Sequence, residues 1–103
     1  MPTADNFDWD RYNVGHLLTD HPERGLSLAE LEDAYNDPAA YEDEALTPAG
    51  TYFDPPRYIR IGRAASTGRL LVMILTYPPS RVRIFSAREA NRKYTTIYHE
   101  ANS

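Results

Sequence analysis

Five cations fall within the thirteen residues of RVRIFSAREANRK: Arg81, Arg83, Arg88, Arg92 and Lys93. A guanidinium carries a planar fork of donors that matches two phosphate oxygens at once, so arginines gathered on a rigid element suit a polyanion better than a core. The chemistry open to such a set is phosphodiester cleavage in RNA. That reaction needs the 2′-hydroxyl deprotonated, the phosphorane charge neutralised and the leaving oxygen protonated. Arginine serves the second need. His99, Glu89, Tyr94 and Tyr98 are candidates for the proton transfers, and the spacing does not select among them. Exposed tyrosines can also stack on unpaired bases. Walker, dinucleotide, zinc and nucleophile-elbow spacings are absent, and three dispersed histidines make no Ser-His-Asp arrangement. His16 and His21 lack the carboxylate or thiolate spacing of a metal site, and no cysteine is present, so neither a metal nor a cofactor is expected.

The elements that position these residues can be read from periodicity. Strand alternation puts Arg81, Arg83, Phe85 and Ala87 on one face and Val82 and Ile84 on the other. Ser86 and Glu89 have capping-box spacing, which predicts a helix over about 86–99 with Arg88, Arg92 and Lys93 in its first two turns. Upstream, RYIRIGRAA alternates over residues 57–65, Ser66-Thr67-Gly68 turns, and the continuously apolar 69–77 reads as a central strand. Three consecutive antiparallel strands would bring Arg57, Arg60, Arg63, Arg81 and Arg83 into one sheet.

Two helices precede this sheet. Asp10 can cap the first, over about 11–21, with Val14, Leu17, Leu18 and His21 on one face. Phe7 and Trp9, alternating with aspartates, suggest a brief edge strand before it. Ser27 and Glu30 suggest a capping box for the second, which buries Leu28, Leu31 and Tyr35, leaves Glu30, Glu32 and Asp33 facing water, and stops at Asn36-Asp37-Pro38. Residues 38–56 read as a long loop with a short edge strand near Ala39 to Tyr41. The fold class is α+β: two N-terminal helices, an antiparallel sheet of about three to five strands and a C-terminal helix, in one domain over 1–103 with its core at about 7–99.

The formal charge of −4 conceals a division. Residues 1–56 hold thirteen acids and two bases, whereas residues 57–103 hold nine bases and two acids. A polar molecule with a basic face attracts nucleic acid or an acidic partner. The bland alternative is that acidic helices neutralise the basic sheet internally. The acidic N-terminus fits no signal peptide, and the longest aliphatic run, Leu70 to Leu75, is too short to span a bilayer. A cytoplasmic protein without membrane contact is expected.

The ordered motifs FDWD, GLSLAELEDAYNDP, RYIRIGRAASTGRLLVMILTY and RVRIFSAREANRK resemble the BrnT toxins of bacterial type II toxin–antitoxin pairs over roughly Phe7 to Tyr94. Trp9 and Asp10, His21, Gly25 and Ser27, Asp37 and Pro38, Gly62 and Arg63, Gly68 and Arg69, and Arg83, Ser86, Ala87 and Arg88 carry that resemblance. It implies a RelE-like fold and endoribonuclease activity. It also implies a BrnA-like ribbon-helix-helix antitoxin partner, forming a hetero-oligomer that reaches operator DNA only through the antitoxin. Under this reading Arg83, Arg88, Arg92, Tyr94 and His99 form the catalytic set, with Arg60, Arg63, Arg81 and Lys93 as RNA-binding cations. The sequence departs from the family pattern by inserting Pro22-Glu23-Arg24 and by carrying Tyr94-Thr95-Thr96 where relatives continue a basic helix. The alternative function is therefore a degenerate, non-catalytic module binding an acidic protein or nucleic acid.

Overall fold

In the computed structural model, which describes residues 6–103, a four-stranded antiparallel sheet carries helices on both faces. Asp5 and its N-terminal neighbours lie outside the described residues. Helix α1 (Arg11–Val14) starts at Asp10, whose carboxylate accepts from the backbone N–H groups of Tyr12 and Asn13, while Asn13 Oδ1 accepts from the Asp10 N–H. It continues as a π-helical turn over Gly15–Thr19 that buries Leu17. The inserted Pro22–Arg24 forms a single 3₁₀ turn closed by Gly25 at positive φ. Helix α2 spans Leu28–Tyr35, capped by the Ser27 hydroxyl. The chain then lays down β1 (Tyr41–Glu44), β2 (Tyr58–Arg63), β3 (Leu70–Thr76) and β4 (Arg83–Glu89), paired in that order, and ends in helix α3 (Arg92–Ala101). The expected class and the central place of the apolar strand are both observed. Among the described residues, no helix is long and apolar enough to cross a membrane.

Strand alternation divides the sheet into two faces. Leu71, Met73, Leu75, Ile84 and Ala87 point towards α1 and α2 and pack with Leu17, Leu31, Ala34 and Tyr35. A Cβ at Gly62 would collide with the Ala34 carbonyl oxygen, so glycine there sets how closely α2 approaches β2. The opposite face presents Ile61, Leu70 and Val72, covered by Tyr94, Ile97 and Tyr98 of α3. Asp37 locks this second layer. Its carboxylate accepts from the Tyr98 hydroxyl at 2.6 Å and from the backbone N–H groups of Arg63 and Ala39 at 2.8 Å each. Burial works against that charge, but the three hydrogen bonds outweigh it and hold the Asp37 carboxyl below its ordinary range.

Several local expectations are corrected. No helix starts at Ser86. β4 continues through Glu89, because Ser86 and Arg88 pair with Ile74 and Val72 of β3, and α3 is capped instead by the Asn91 side chain, which accepts from the Tyr94 N–H. Phe85 stands unopposed in a β-bulge, since Ile84 faces Leu75 and Ser86 faces Ile74. The extra residue reverses the alternation, so Ala87 joins Ile84 on the core side instead of sharing a face with Arg83 and Phe85. The edge strand lies at Tyr41–Glu44, not Ala39–Tyr41. Phe7 contributes one parallel bridge to Val82. Glu30 does not face water: its carboxylate turns inward to Arg69 and the Thr67 hydroxyl, which completes an ion pair that a capping box would have forgone.

Candidate functional site

The cations of the second half separate into two groups by what they touch. Arg60 is almost fully buried. Its Nε donates to the Tyr35 carbonyl at 2.9 Å, its Nη1 lies 3.3 Å from Glu42, and its guanidinium stacks 4.3 Å from the Tyr35 ring. It is thus beneath α2, on the face opposite the exposed cations, and not on a surface that RNA could reach. Arg69 is held by Glu30 and donates to the Arg24 and Gly25 carbonyls. Arg83 donates to Asp10 at 2.8 Å and lies 3.5 Å from Asp8, and Arg81 sits 3.8 Å from Asp8. The Asp10 hydrogen bond keeps Arg83 firmly charged and holds the Asp10 carboxyl below its ordinary value. Internal neutralisation, the bland account of the charge division, therefore describes Arg60, Arg69, Arg81 and Arg83.

Arg88 and Arg92 differ. Both are exposed, and among the described residues neither side chain forms an ion pair or hydrogen bond. Register places Arg88 opposite Val72, on the sheet face that α3 only partly covers. There it borders a cleft of about 160 Å³ with Arg24, Ile59, Ile74, Ser86 and Tyr94. Arg92 opens α3, and Lys93 follows with its ammonium 5.4 Å from the Tyr94 ring. Tyr94 lines both this cleft and a neighbouring one of about 370 Å³ bounded by Tyr41, Asp43, Ile97 and Lys93. The structure thus brings Arg88 and Tyr94 to one cleft, with Lys93 beside Tyr94 and Arg92 on the adjoining helical turn.

The remaining candidates lie elsewhere. Arg63 donates to the Gly68 carbonyl at 2.8 Å and stands 5.6 Å from the Tyr98 ring, beside a separate hollow with Asp33, Asp37 and Pro38. His99 is in the last turn of α3, edge-on to Tyr98, and lines neither of the clefts around Tyr94. Burial and then hydrogen bonding to Asp37 push the Tyr98 phenol upward, which makes it a fixed donor to that carboxylate. Glu89 ends β4 opposite Leu71, near Arg69 at 3.8 Å.

Two further residues of this face were not among the expected site residues, although Arg57 was expected as one of the sheet's cations. Arg24, from the inserted turn, reaches the edge of β4 and donates from Nη1 to the Ala87 carbonyl at 3.0 Å, which places a further cation at the Arg88 cleft. That contact spans 63 positions and leaves no local signal. The Arg57 guanidinium contacts two aromatic rings, 4.6 Å from Phe53 and 4.9 Å from Phe85.

The arrangement can bind phosphate through Arg88, Arg92 and Lys93, which no acid neutralises among the described residues, beside a phenol and a serine hydroxyl. A family model described as "Ribonuclease toxin, BrnT, of type II toxin-antitoxin system" matches residues 9–93. No curated protein matches the chain.

Proposed function

The chain belongs to the BrnT family of ribonuclease toxins of type II toxin–antitoxin systems, and from this we propose that it cleaves RNA without a metal ion on the open sheet face around Arg88. The observation that carries the proposal is the isolation of Arg88: it is exposed and unpaired among the described residues, while Arg60, Arg69 and Arg83 are engaged by acids. Arg88 neutralises the phosphorane, Arg92 and Lys93 hold flanking phosphates, and Arg24 supports the same cleft. Tyr94 is the proton-transfer candidate nearest in position, since it shares the Arg88 cleft. Arg83, tied to Asp8 and Asp10, orients the strand and does not contact substrate. His99 takes no part in this scheme.

We further propose that a BrnA-like ribbon-helix-helix antitoxin covers this face, so that RNA and antitoxin exclude one another. A non-catalytic binding module is the second reading, favoured by the number of arginines consumed in internal pairs. Expression in cells separates the two. The toxin reading expects growth arrest by the wild type, relief by Arg88→Ala, and cleavage by purified protein that survives EDTA. Growth without arrest, with RNA bound but intact, would support the binding module. Cleavage lost on chelation and restored by a divalent cation would overturn metal independence.

A further inference from the structure

We propose that Phe53, Arg57 and Phe85 form a stacking platform for an unpaired nucleobase, so that the substrate of the Arg88 face is single-stranded RNA. The inference rests on the RNA-cleaving reading above and names its substrate class.

Three observations carry it. First, among the described residues Phe53 and Phe85 belong to neither of the two hydrophobic clusters, whereas Phe7, the remaining phenylalanine, packs against the larger one. Both rings stay partly exposed and are held by a guanidinium at 4.6 and 4.9 Å. A guanidinium held against each ring fixes the ring in place, and the ring face turned away from Arg57 can accept a base by stacking, whatever the base's identity.

Second, Phe85 is the unopposed residue of the β4 bulge, one position before Ser86 and three before Arg88. Bulges re-aim side chains beside functional sites. Here the bulge turns Phe85 to Arg57 and sends Ala87, the following core residue, inward. Third, platform and cation share one sheet face. Arg57 extends β2 by a residue, with its carbonyl accepting from the Ala45 N–H at 2.8 Å, and lies two positions before Ile59. Ile59 pairs with Ile74, which pairs with Ser86. Phe85 and Arg88 are separated along β4 by about 10 Å at a strand rise of about 3.3 Å per residue. A base stacked on Phe85 therefore brings its strand across Ser86 towards Arg88. A base inside a duplex has both faces covered by its stacked neighbours, so duplex RNA gains nothing from such a platform.

The test is binding of a labelled 2′-O-methyl oligonucleotide, which lacks the attacking hydroxyl and stays uncut, measured by anisotropy as a single strand and as a blunt-ended duplex with its complement. Phe85→Leu keeps an apolar side chain beside Arg57 but removes the π face, and Phe85→Trp restores one. Phe85→Leu should weaken single-strand binding about tenfold with duplex binding unchanged, and Phe85→Trp should recover it. Equal losses for both probes, or no loss for either, would overturn the platform. Thermal melts of the same variants confirm that each is folded at the assay temperature. A companion assay on ordinary RNA separates the two proposals. Selective loss of single-strand binding by a protein that cleaves nothing upholds the platform and removes the nuclease reading, while cleavage unaffected by Phe85→Leu does the reverse.

Discussion

Arg83 and Asp10 form a hydrogen-bonded ion pair at 2.8 Å, with Asp8 a further partner of the same guanidinium at 3.5 Å. Asp10 also caps α1, so this pair fastens the first helix to β4. An arginine so committed would lose two carboxylates on turning to a phosphate. Arg83→Ala should therefore lower the melting temperature while reducing RNA affinity less than Arg88→Ala does; Arg88→Ala should leave the melting temperature nearly unchanged. Melting curves and a filter-binding series on both proteins check this. A reversed ranking would move the site to Arg83.

Arg60→Ala should destabilise the fold by about 2–4 kcal/mol, because it leaves the Tyr35 carbonyl and Glu42 without a buried donor and a hole under α2. Glu42 keeps some help from the Tyr77 hydroxyl, which donates to it at 2.6 Å. Urea denaturation gives the value. A loss below about 0.5 kcal/mol, the range of ordinary surface substitutions, would contradict the burial described for Arg60.

Tyr98→Phe should cost about 1–2 kcal/mol by leaving Asp37 short of one donor, and should loosen α3 more than β3. Amide hydrogen exchange resolves the two: faster exchange confined to residues 92–101 is expected, and uniform acceleration would contradict it.

Acid should weaken the protein in a defined window. Arg69, then Thr67, hold the Glu30 carboxyl below its ordinary 4.5, and Asp10 and Asp37 also lie below their ordinary 3.8. A carboxyl whose pKa is lower folded than unfolded contributes stability that is complete above the unfolded value and is lost as pH falls through the folded one. The melting temperature should thus fall steadily below about pH 4.5, and Glu30→Gln should flatten part of that slope. A melting temperature that rose on acidification would contradict the assignment.

Local pattern disclosed most of this architecture. Ser27 caps α2 as its position suggests, and the apolar run at Leu70–Thr76 is the central strand. The failure at Ser86 has a physical cause. Its spacing to Glu89 imitates a capping box, but pairing of Ser86 and Arg88 with β3 satisfies the backbone better than a new helix would, and Asn91 was the cap to prefer. Glu30 misled for the same reason, since its true partner Arg69 lies 39 positions away. The site was legible as a stretch of chain but not as a set of free charges. Which arginines are neutralised depends on Asp8, Asp10, Glu30 and Glu42, all contributed by the distant acidic half.

Arg88 is proposed to stabilise the transition state of RNA cleavage on the open sheet face. Incubating single-stranded RNA at low salt with purified wild type and with Arg88→Ala, and following products on a denaturing gel, tests it most directly. Cleavage by the wild type is expected, with a rate about 100-fold lower for Arg88→Ala, the scale of losing one preorganised charge donor. RNA left intact by the wild type, or cut at equal rates by both proteins, would contradict it.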